Sequence, residues 1–74
     1  MKKVELYTKD GCGQCQLLKQ WLGMKKVTYS EVNVSHNEPA LELLQSRGMT
    51  SLPRIRIDDE FIKYSEFIDI LDYL

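Results

Sequence analysis

Two cysteines, Cys12 and Cys15, are the residues of this 74-residue sequence best suited to chemistry. They are the only cysteines in the sequence, and they lie three positions apart. Two thiols at this spacing can exchange electrons with a disulfide, because one thiolate attacks it and the second thiol resolves the mixed disulfide. A bridge across so short a loop constrains the unfolded chain very little. We therefore expect the pair to serve chemistry rather than stability.

The residues on either side of the pair predict a strand before it and a helix after it. Residues 4–8 alternate in the way of a half-buried strand. The apolar side chains of residues 14–22 recur at helical spacing, and they are Leu17, Leu18, Trp21 and Leu22. The free N–H groups and the dipole at a helix start stabilise a thiolate and lower the pKa of its cysteine. We predict Cys12 as the exposed nucleophile there, and Cys15, one turn later, as the covered resolving cysteine.

The residues next to Cys12 suit an encounter with another chain. Gly11 and Gly13 flank Cys12 without side-chain bulk, so that a partner backbone can approach closely. Lys9 adds positive charge nearby, and Asp10 partly offsets it. A strand, a CxxC pair and a helix in this order are typical of a thioredoxin-like redox motif.

A second strand and a second helix follow. Residues 27–34 are rich in β-branched and aromatic side chains and predict the strand. Asn37 or Ser35 can cap the helix, which Arg47 and Gly48 end.

A hairpin and a final helix complete the order βαβαββα. Ile55 and Ile57 alternate with arginines in a third strand, and residues 61–63 form the fourth after a tight turn. A final helix over residues 66–74 is expected to bury Phe67, Ile68, Leu71 and Leu74. The strand–helix–strand start implies a parallel pair, to which the hairpin adds antiparallel strands. We predict one α/β domain over residues 1–74, with a four-stranded mixed sheet flanked by helices.

Three segments, spread over nearly the whole chain, carry the motifs of a known family. They are Tyr7-Thr8-Lys9-Asp10-Gly11-Cys12-Gly13-Gln14-Cys15, Met49-Thr50-Ser51-Leu52-Pro53 and Tyr64-Ser65-Glu66-Phe67. The first resembles the active-site segment of glutaredoxins and NrdH-type redoxins, and the second resembles their loop that ends in a cis-proline. The third is similar to the aromatic-Ser-Gly-Phe segment of NrdH-type redoxins.

The resemblance implies a thioredoxin fold and a thiol-disulfide oxidoreductase without a cofactor or metal. Its catalytic residues are Cys12 and Cys15. The Leu52–Pro53 bond is then cis and lies beside the cysteines, and the backbone of Leu52 pairs with the substrate. Lys9 matches the lysine that glutaredoxins use for glutathione. The candidate substrate-binding residues are Lys9, Gly11, Gln14, Ser51, Leu52, Pro53 and Tyr64.

Departures from the glutaredoxin pattern favour the NrdH type. Gly13 and Gln14 stand between the cysteines, where typical glutaredoxins carry Pro-Tyr. Lys63 and Tyr64 replace the Gly-Gly pair with which glutaredoxins hold the glutathione carboxylate. The NrdH type implies reduction by thioredoxin reductase and electron delivery to ribonucleotide reductase, although Glu66 replaces a glycine of that subfamily. A glutathione-dependent glutaredoxin is the alternative.

Size and charge exclude other classes of function. A net charge of −1 and a pI near 5.7 provide no basic face for nucleic acid. No apolar run is long enough for a membrane span or a signal peptide. We expect a cytoplasmic monomer whose partners are a reductase and disulfide-containing proteins. Residues 1–37 hold six lysines and three acidic residues, whereas residues 38–74 hold four basic and eight acidic residues, an asymmetry that can orient a partner.

Two other roles of the cysteine pair stay open at this point. Thiolates can bind zinc or copper, or hold an iron–sulfur cluster between two chains. Copper chaperones of similar length also carry a CxxC after their first strand, but their order is βαββαβ and ends in a strand. A purely structural bridge is the other role. His36 is interpreted as a surface or capping residue, and Tyr64 as part of either the core or a partner groove.

Overall fold

The fold is a four-stranded mixed sheet with helices on both faces. The computed structural model describes residues 2–49 and 51–74, so Thr50 of the expected proline loop lies outside the described residues. The strands are β1 (Val4–Thr8), β2 (Ser30–Asn33), β3 (Arg54–Ile57) and β4 (Glu60–Phe61). They lie in the order β2-β1-β3-β4, with β1 parallel to β2 and antiparallel to β3, and β4 antiparallel to β3. The predicted sheet is confirmed.

Two α-helices and two 3-10 helices complete the chain. They are α1 (Gly13–Met24), the 3-10 helix Val34–His36, α2 (Glu38–Ser46) and the 3-10 helix Phe67–Tyr73. The helix α1 continues two residues beyond residue 22, the last of the predicted range, and the chain turns at Lys26, whose φ is 57°. Asn37 caps α2, and Gly48 follows that helix with φ 69°, as predicted. Among residues 2–49 and 51–74, no helix has the length and apolar character needed to cross a membrane.

The central strand β1 carries core side chains on both faces of the sheet. On one face the buried cluster consists of Val4, Leu6, Leu18, Leu22, Ile55, Ile57, Ile62 and Ile70. On the other face it consists of Tyr7, Val34, Ala40 and Leu44. Successive strand residues point to opposite faces, so Leu6 and Tyr7 belong to different clusters. The strand is therefore held between α1 and α2, and its carboxyl end leads directly into the cysteine pair.

The strand β2 is shorter than the predicted strand over residues 27–34. Its pairing with β1 begins at Ser30, which lies opposite Glu5. Residues 27–29 precede this start, and Val27 and Tyr29 pack against the core without joining the ladder. Val34 already belongs to the 3-10 helix that follows.

The last helix differs from the prediction in its type and in its buried face. A 3-10 helix has three residues per turn, so residues at i and i+3 share one face. Phe67 packs against the core and Ile70 is fully buried, in agreement with this spacing. Ile68, Leu71 and Leu74, predicted to point inward, are 51%, 37% and 42% exposed. That prediction was wrong because it assumed the 3.6-residue period of an α-helix.

Candidate active site

The two cysteines form a disulfide at the junction between β1 and α1. Cys12 is the N-cap of α1, with extended backbone angles φ −95° and ψ 104°, and Cys15 lies in the first turn. Their Cα atoms are 5.2 Å apart, within the usual range for a disulfide. The structure thus brings the pair to the strand–helix junction that the sequence predicts.

The start of α1 provides a donor for the sulfur of Cys12. The backbone N–H of Cys15 points to the Sγ atom of Cys12, with 3.1 Å between nitrogen and sulfur. No acidic residue lies in the first turn of α1 to oppose a negative charge there. When the disulfide is reduced, this N–H and the positive end of the helix dipole favour the thiolate at Cys12.

Cys12 is less exposed than the sequence predicts. It is 8% exposed, and Cys15 is 1% exposed. The loop before Pro53 covers Cys12, because the carbonyl oxygen of Leu52 lies 4.0 Å from its Sγ atom. This contact joins residues 40 positions apart, so the place of Cys12 in its helix does not predict it. Cys12 therefore offers a partner only a small exposed surface, whereas Cys15 is closed to it.

The proline loop has the geometry that the family resemblance implies. The Leu52–Pro53 peptide bond is cis, and both residues are half-buried. Ser51 is exposed, and its backbone and side chain both hold Arg54. The Nε of Arg54 donates to the Ser51 carbonyl oxygen at 3.0 Å, and its Nη2 donates to the Ser51 Oγ at 3.1 Å. The sequence does not indicate this role of Ser51.

The other residues predicted to meet a substrate leave the approach to Cys12 open. Lys9, Gly11, Gly13 and Gln14 are all exposed. A Cβ atom added at Gly11 or Gly13 would meet no heavy atom within 4 Å in the described part of the chain. Gly11 also has φ 68°, a left-handed conformation that glycine adopts without strain.

Asp10 connects the loop before Cys12 to the end of β2. Its backbone N–H donates to the Oγ of Ser35 at 3.0 Å, and its Oδ1 accepts from the Nδ2 of Asn33 at 3.0 Å. Its Oδ2 lies 2.9 Å from the Nε2 of His36, an ion pair when the imidazole is protonated. We call Asp10, Asn33, Ser35 and His36 the Asp10 clamp. No spacing in the sequence marks this clamp, because its hydrogen bonds join segments 23 and 25 residues apart.

A second polar network ties α1 to β1 and β2. The buried Thr8 donates through its Oγ1 to the Oε2 of Glu31 at 2.8 Å, and the same oxygen lies 2.8 Å from the Nζ of Lys19. The hydrogen bond from Lys19, followed by that from Thr8, lowers the pKa of Glu31 below its usual value. The helix that carries the cysteines is thereby fixed to the sheet on its polar side.

A groove of about 360 Å³ lies beside the proline loop. Its wall consists of Ser51, Pro53, Arg54, Ile62, Lys63 and Tyr64. The ring of Tyr64 is half-buried and lies 6.5 Å from the ring of Phe67. Burial raises the pKa of Tyr64, and the charge of Arg54 lowers it in part. Tyr64 therefore belongs both to the edge of the core and to a groove, the two places left open by the sequence.

The order of the elements departs from that of copper chaperones. Within residues 2–49 and 51–74, no group of three or more His, Cys, Asp or Glu side chains is arranged to hold a metal ion. The last element of the chain is a 3-10 helix, whereas the copper-chaperone order ends in a strand.

Comparison with known proteins identifies the family. The glutaredoxin family model matches residues 4–62, a range that includes the cysteine pair and the proline loop. The chain belongs to the glutaredoxin family. Membership, together with a CxxC pair that forms a disulfide, makes this glutaredoxin a thiol-disulfide oxidoreductase.

Relatives of this glutaredoxin carry two different names. The glutaredoxin-like protein NrdH of Lactococcus lactis subsp. cremoris (strain MG1363) is 30% identical over 56 residues, which cover 76% of this chain and 78% of the relative. Glutaredoxin 3 of Escherichia coli (strain K12) is 33% identical over 73 residues, which cover 97% and 88%. The crystal structure of the thioredoxin-like protein BC3987 matches with a TM-score of 0.81 and 29% identity, over 97% of this chain and 100% of that one. The thioredoxin fold is confirmed.

Proposed function

We propose that this glutaredoxin is an NrdH-like electron donor, which thioredoxin reductase reduces and which passes electrons to a protein such as ribonucleotide reductase. The observation that carries the proposal is the groove wall at Lys63 and Tyr64. Glutaredoxins hold the glutathione carboxylate with a Gly-Gly pair at this position. A lysine side chain and a half-buried tyrosine line the groove here instead. Similarity to the NrdH protein of Lactococcus lactis supports the same proposal.

In this proposal Cys12 attacks and Cys15 resolves. The Cys12 thiolate of the reduced protein bonds to one sulfur of the substrate disulfide, and the other sulfur leaves as a thiolate that takes up a proton. The Cys15 thiol then loses its proton and bonds to the Sγ of Cys12, and the second substrate sulfur leaves as a thiolate that also takes up a proton. Two electrons thus pass to the substrate, which takes up two protons, one released by Cys15 and one from water. The N–H of Cys15 supports the first step because it favours the Cys12 thiolate.

We propose seven residues for substrate binding, and they are Lys9, Gly11, Gln14, Ser51, Leu52, Pro53 and Tyr64. Ser51, Pro53 and Tyr64 line the groove beside the proline loop. The carbonyl oxygen of Leu52 lies 4.0 Å from the Sγ atom of Cys12, which suits backbone pairing with a bound segment. Gly11 is exposed, and a Cβ atom added there would meet no heavy atom of the described residues within 4 Å, so it leaves room for a partner backbone.

A glutathione-dependent glutaredoxin is the second candidate function. It is favoured by Lys9, which is exposed near the disulfide and matches the glutathione-binding lysine of glutaredoxins. The similarity to glutaredoxin 3 of Escherichia coli, which extends over 97% of this chain, supports the same candidate.

The reductant distinguishes the two candidates. The oxidised protein is supplied with NADPH and thioredoxin reductase, and separately with NADPH, glutathione and glutathione reductase. We expect rapid NADPH consumption in the first assay and consumption near background in the second. The matched variant Lys63→Gly with Tyr64→Gly should gain activity with glutathione, because it restores the glycine pair. Rapid turnover of the unaltered protein with glutathione alone would overturn the proposal.

We also propose that the protein acts in the cytoplasm and as a monomer. One close cysteine pair suits a reducing compartment, where disulfides are transient and catalytic. The contact between Leu52 and Cys12 forms within one chain, which suits a monomer.

A further inference from the structure

The groove beside the proline loop is lined by two cationic side chains of the described residues. Arg54 and Lys63 line it, and within the described residues no Asp or Glu does. Within the described residues, neither Arg54 nor Lys63 forms an ion pair. The ion pairs found there are Lys19–Glu31, His36–Asp10 and Arg56–Asp59. Residues 38–74, which supply both cations, hold eight acidic and four basic residues. The groove is therefore a local reversal of charge in the acidic half of the sequence.

Arg54 is already held in a position to bind an anion. Its contacts with Ser51 use two N–H donors, at 3.0 and 3.1 Å. A guanidinium has five such donors in a planar fork that matches a carboxylate. Fixing the side chain before binding reduces the entropy lost on binding. The half-buried Tyr64, whose pKa burial raises, keeps its hydroxyl protonated and adds a further donor to the groove wall.

The groove lies where a substrate segment bonded to Cys12 would pass. Ser51 and Pro53 belong to its wall, and the residue between them, Leu52, has its carbonyl oxygen 4.0 Å from the Sγ of Cys12. An extended chain advances about 3.3 Å per residue. A side chain only a few residues from the substrate cysteine therefore reaches the groove.

We propose that this groove binds an acidic side chain of the protein segment that carries the substrate disulfide, with Arg54 and Lys63 as its ligands. The substrate class is then a protein whose reactive cysteine has an Asp or Glu within a few residues along the chain. A second groove shares Lys63 and Tyr64 with the first but is also lined by Asp69 and Asp72, whose charges would repel an acidic side chain. This inference rests on the proposed reduction of protein disulfides.

The test compares two synthetic peptides, each joined by a disulfide to the same reporter thiol. The peptides differ at one position, two residues after the cysteine, which is Glu in one and Gln in the other. The protein is first reduced with dithiothreitol, which is then removed, and the release of the reporter thiol is followed in a single turnover. We expect the Glu peptide to react about threefold faster at low salt, and the ratio to fall as salt screens the charges.

Three variants test whether the groove causes the faster reaction of the Glu peptide. Arg54→Gln with Lys63→Gln should bring the ratio of the two rates to about one. Lys3→Gln, the matched control, removes an exposed charge outside the groove wall and should leave the ratio unchanged. Lys63→Glu, a change at an exposed residue that keeps the Arg54–Ser51 contacts, leaves one positive and one negative charge in the groove and should also bring the ratio to about one.

Equal rates with the two peptides, or a ratio that survives in the double variant, would overturn the inference. Oxidised glutathione serves as a third substrate. If the double variant slows its reaction alone, the groove binds the glutathione carboxylates and the inference is wrong. If the protein reduces neither peptide, the proposed function fails together with the inference, whereas equal rates leave that function intact.

Discussion

At the scale of single residues, the two cysteines have different surroundings although they are joined by one bond. Cys12 caps α1 and receives the N–H of Cys15 at 3.1 Å, whereas Cys15 is 1% exposed and lies inside the first turn. The helix start therefore stabilises negative charge at Cys12, and burial prevents a partner from reaching Cys15. This difference supports our proposal that Cys12 attacks and Cys15 resolves.

Serine substitutions test that assignment. Cys15→Ser should accumulate a mixed disulfide between Cys12 and a substrate, because no second thiol is present to release it. Cys12→Ser should form no mixed disulfide and reduce nothing. Mass spectrometry of the products under non-reducing conditions measures both. The roles are wrong if Cys12→Ser still reduces a disulfide at the rate of the unaltered protein.

At the scale of elements, polar contacts outside the apolar core position α1 and the loop before it. The Asp10 clamp fixes the loop to the end of β2, and the Thr8–Glu31–Lys19 contacts fix α1 to the sheet. Both connections depend on residues distant in sequence. The approach to Cys12 is thus held by side chains that take no part in the exchange of electrons.

The contribution of Glu31 should depend on pH. In the folded protein, Lys19 and Thr8 lower the pKa of Glu31 below 4.5, its ordinary value. The unfolded chain therefore binds the proton of Glu31 more tightly than the folded protein does. The contacts therefore stabilise the fold above pH 4.5 and lose their effect as the pH falls through the lower, folded pKa. Because the pair is about one-third exposed, we expect Glu31→Gln to lower the free energy of unfolding by about 0.5 kcal/mol at neutral pH.

Urea unfolding at a series of pH values measures the difference in unfolding free energy between the unaltered protein and Glu31→Gln. It should shrink toward zero as the solution becomes more acidic than pH 4.5. A difference that stays constant through the acidic range would show that the carboxylate charge is not what stabilises the contact.

The 3-10 helix at the end of the chain predicts unequal effects of two neighbouring isoleucines. Ile70 is fully buried, so Ile70→Ala should cost about 2–4 kcal/mol of unfolding free energy. Ile68 is 51% exposed, and Ile68→Ala, the matched control, should change that free energy by no more than about 0.5 kcal/mol. A larger loss for Ile68→Ala than for Ile70→Ala would contradict the 3-10 register and support the α-helical one.

At the scale of the whole molecule, local patterns in the sequence predict the element order and the mixed sheet. The strand over residues 4–8 and the glycine that follows α2 are predicted from patterns that extend over only a few residues. Both predictions agree with the structure. The covering of Cys12 by Leu52 and the Asp10 clamp join distant segments, so no local period reveals them. The groove cations Arg54 and Lys63 were missed for the same reason, because their lack of acidic neighbours is a property of the folded chain.

The whole fold should survive without the disulfide. The bridge joins residues three positions apart, and closing a loop this short stabilises a protein by about 2 kcal/mol at most. The double variant Cys12→Ser with Cys15→Ser should therefore remain folded, with a melting temperature lower by about 8–16 °C at most. Circular dichroism during heating measures the melting temperature of the double variant. A double variant that is unfolded at room temperature would show that the disulfide is structural.

The lengths of the edge strands affect how readily this protein pairs with strands of other proteins. The strands at the two edges of the sheet, β2 and β4, have four and two residues. Long open edges recruit foreign strands and promote aggregation, and short ones offer little backbone for such pairing. This thiol-disulfide oxidoreductase thus offers little edge backbone to which another chain could add a strand.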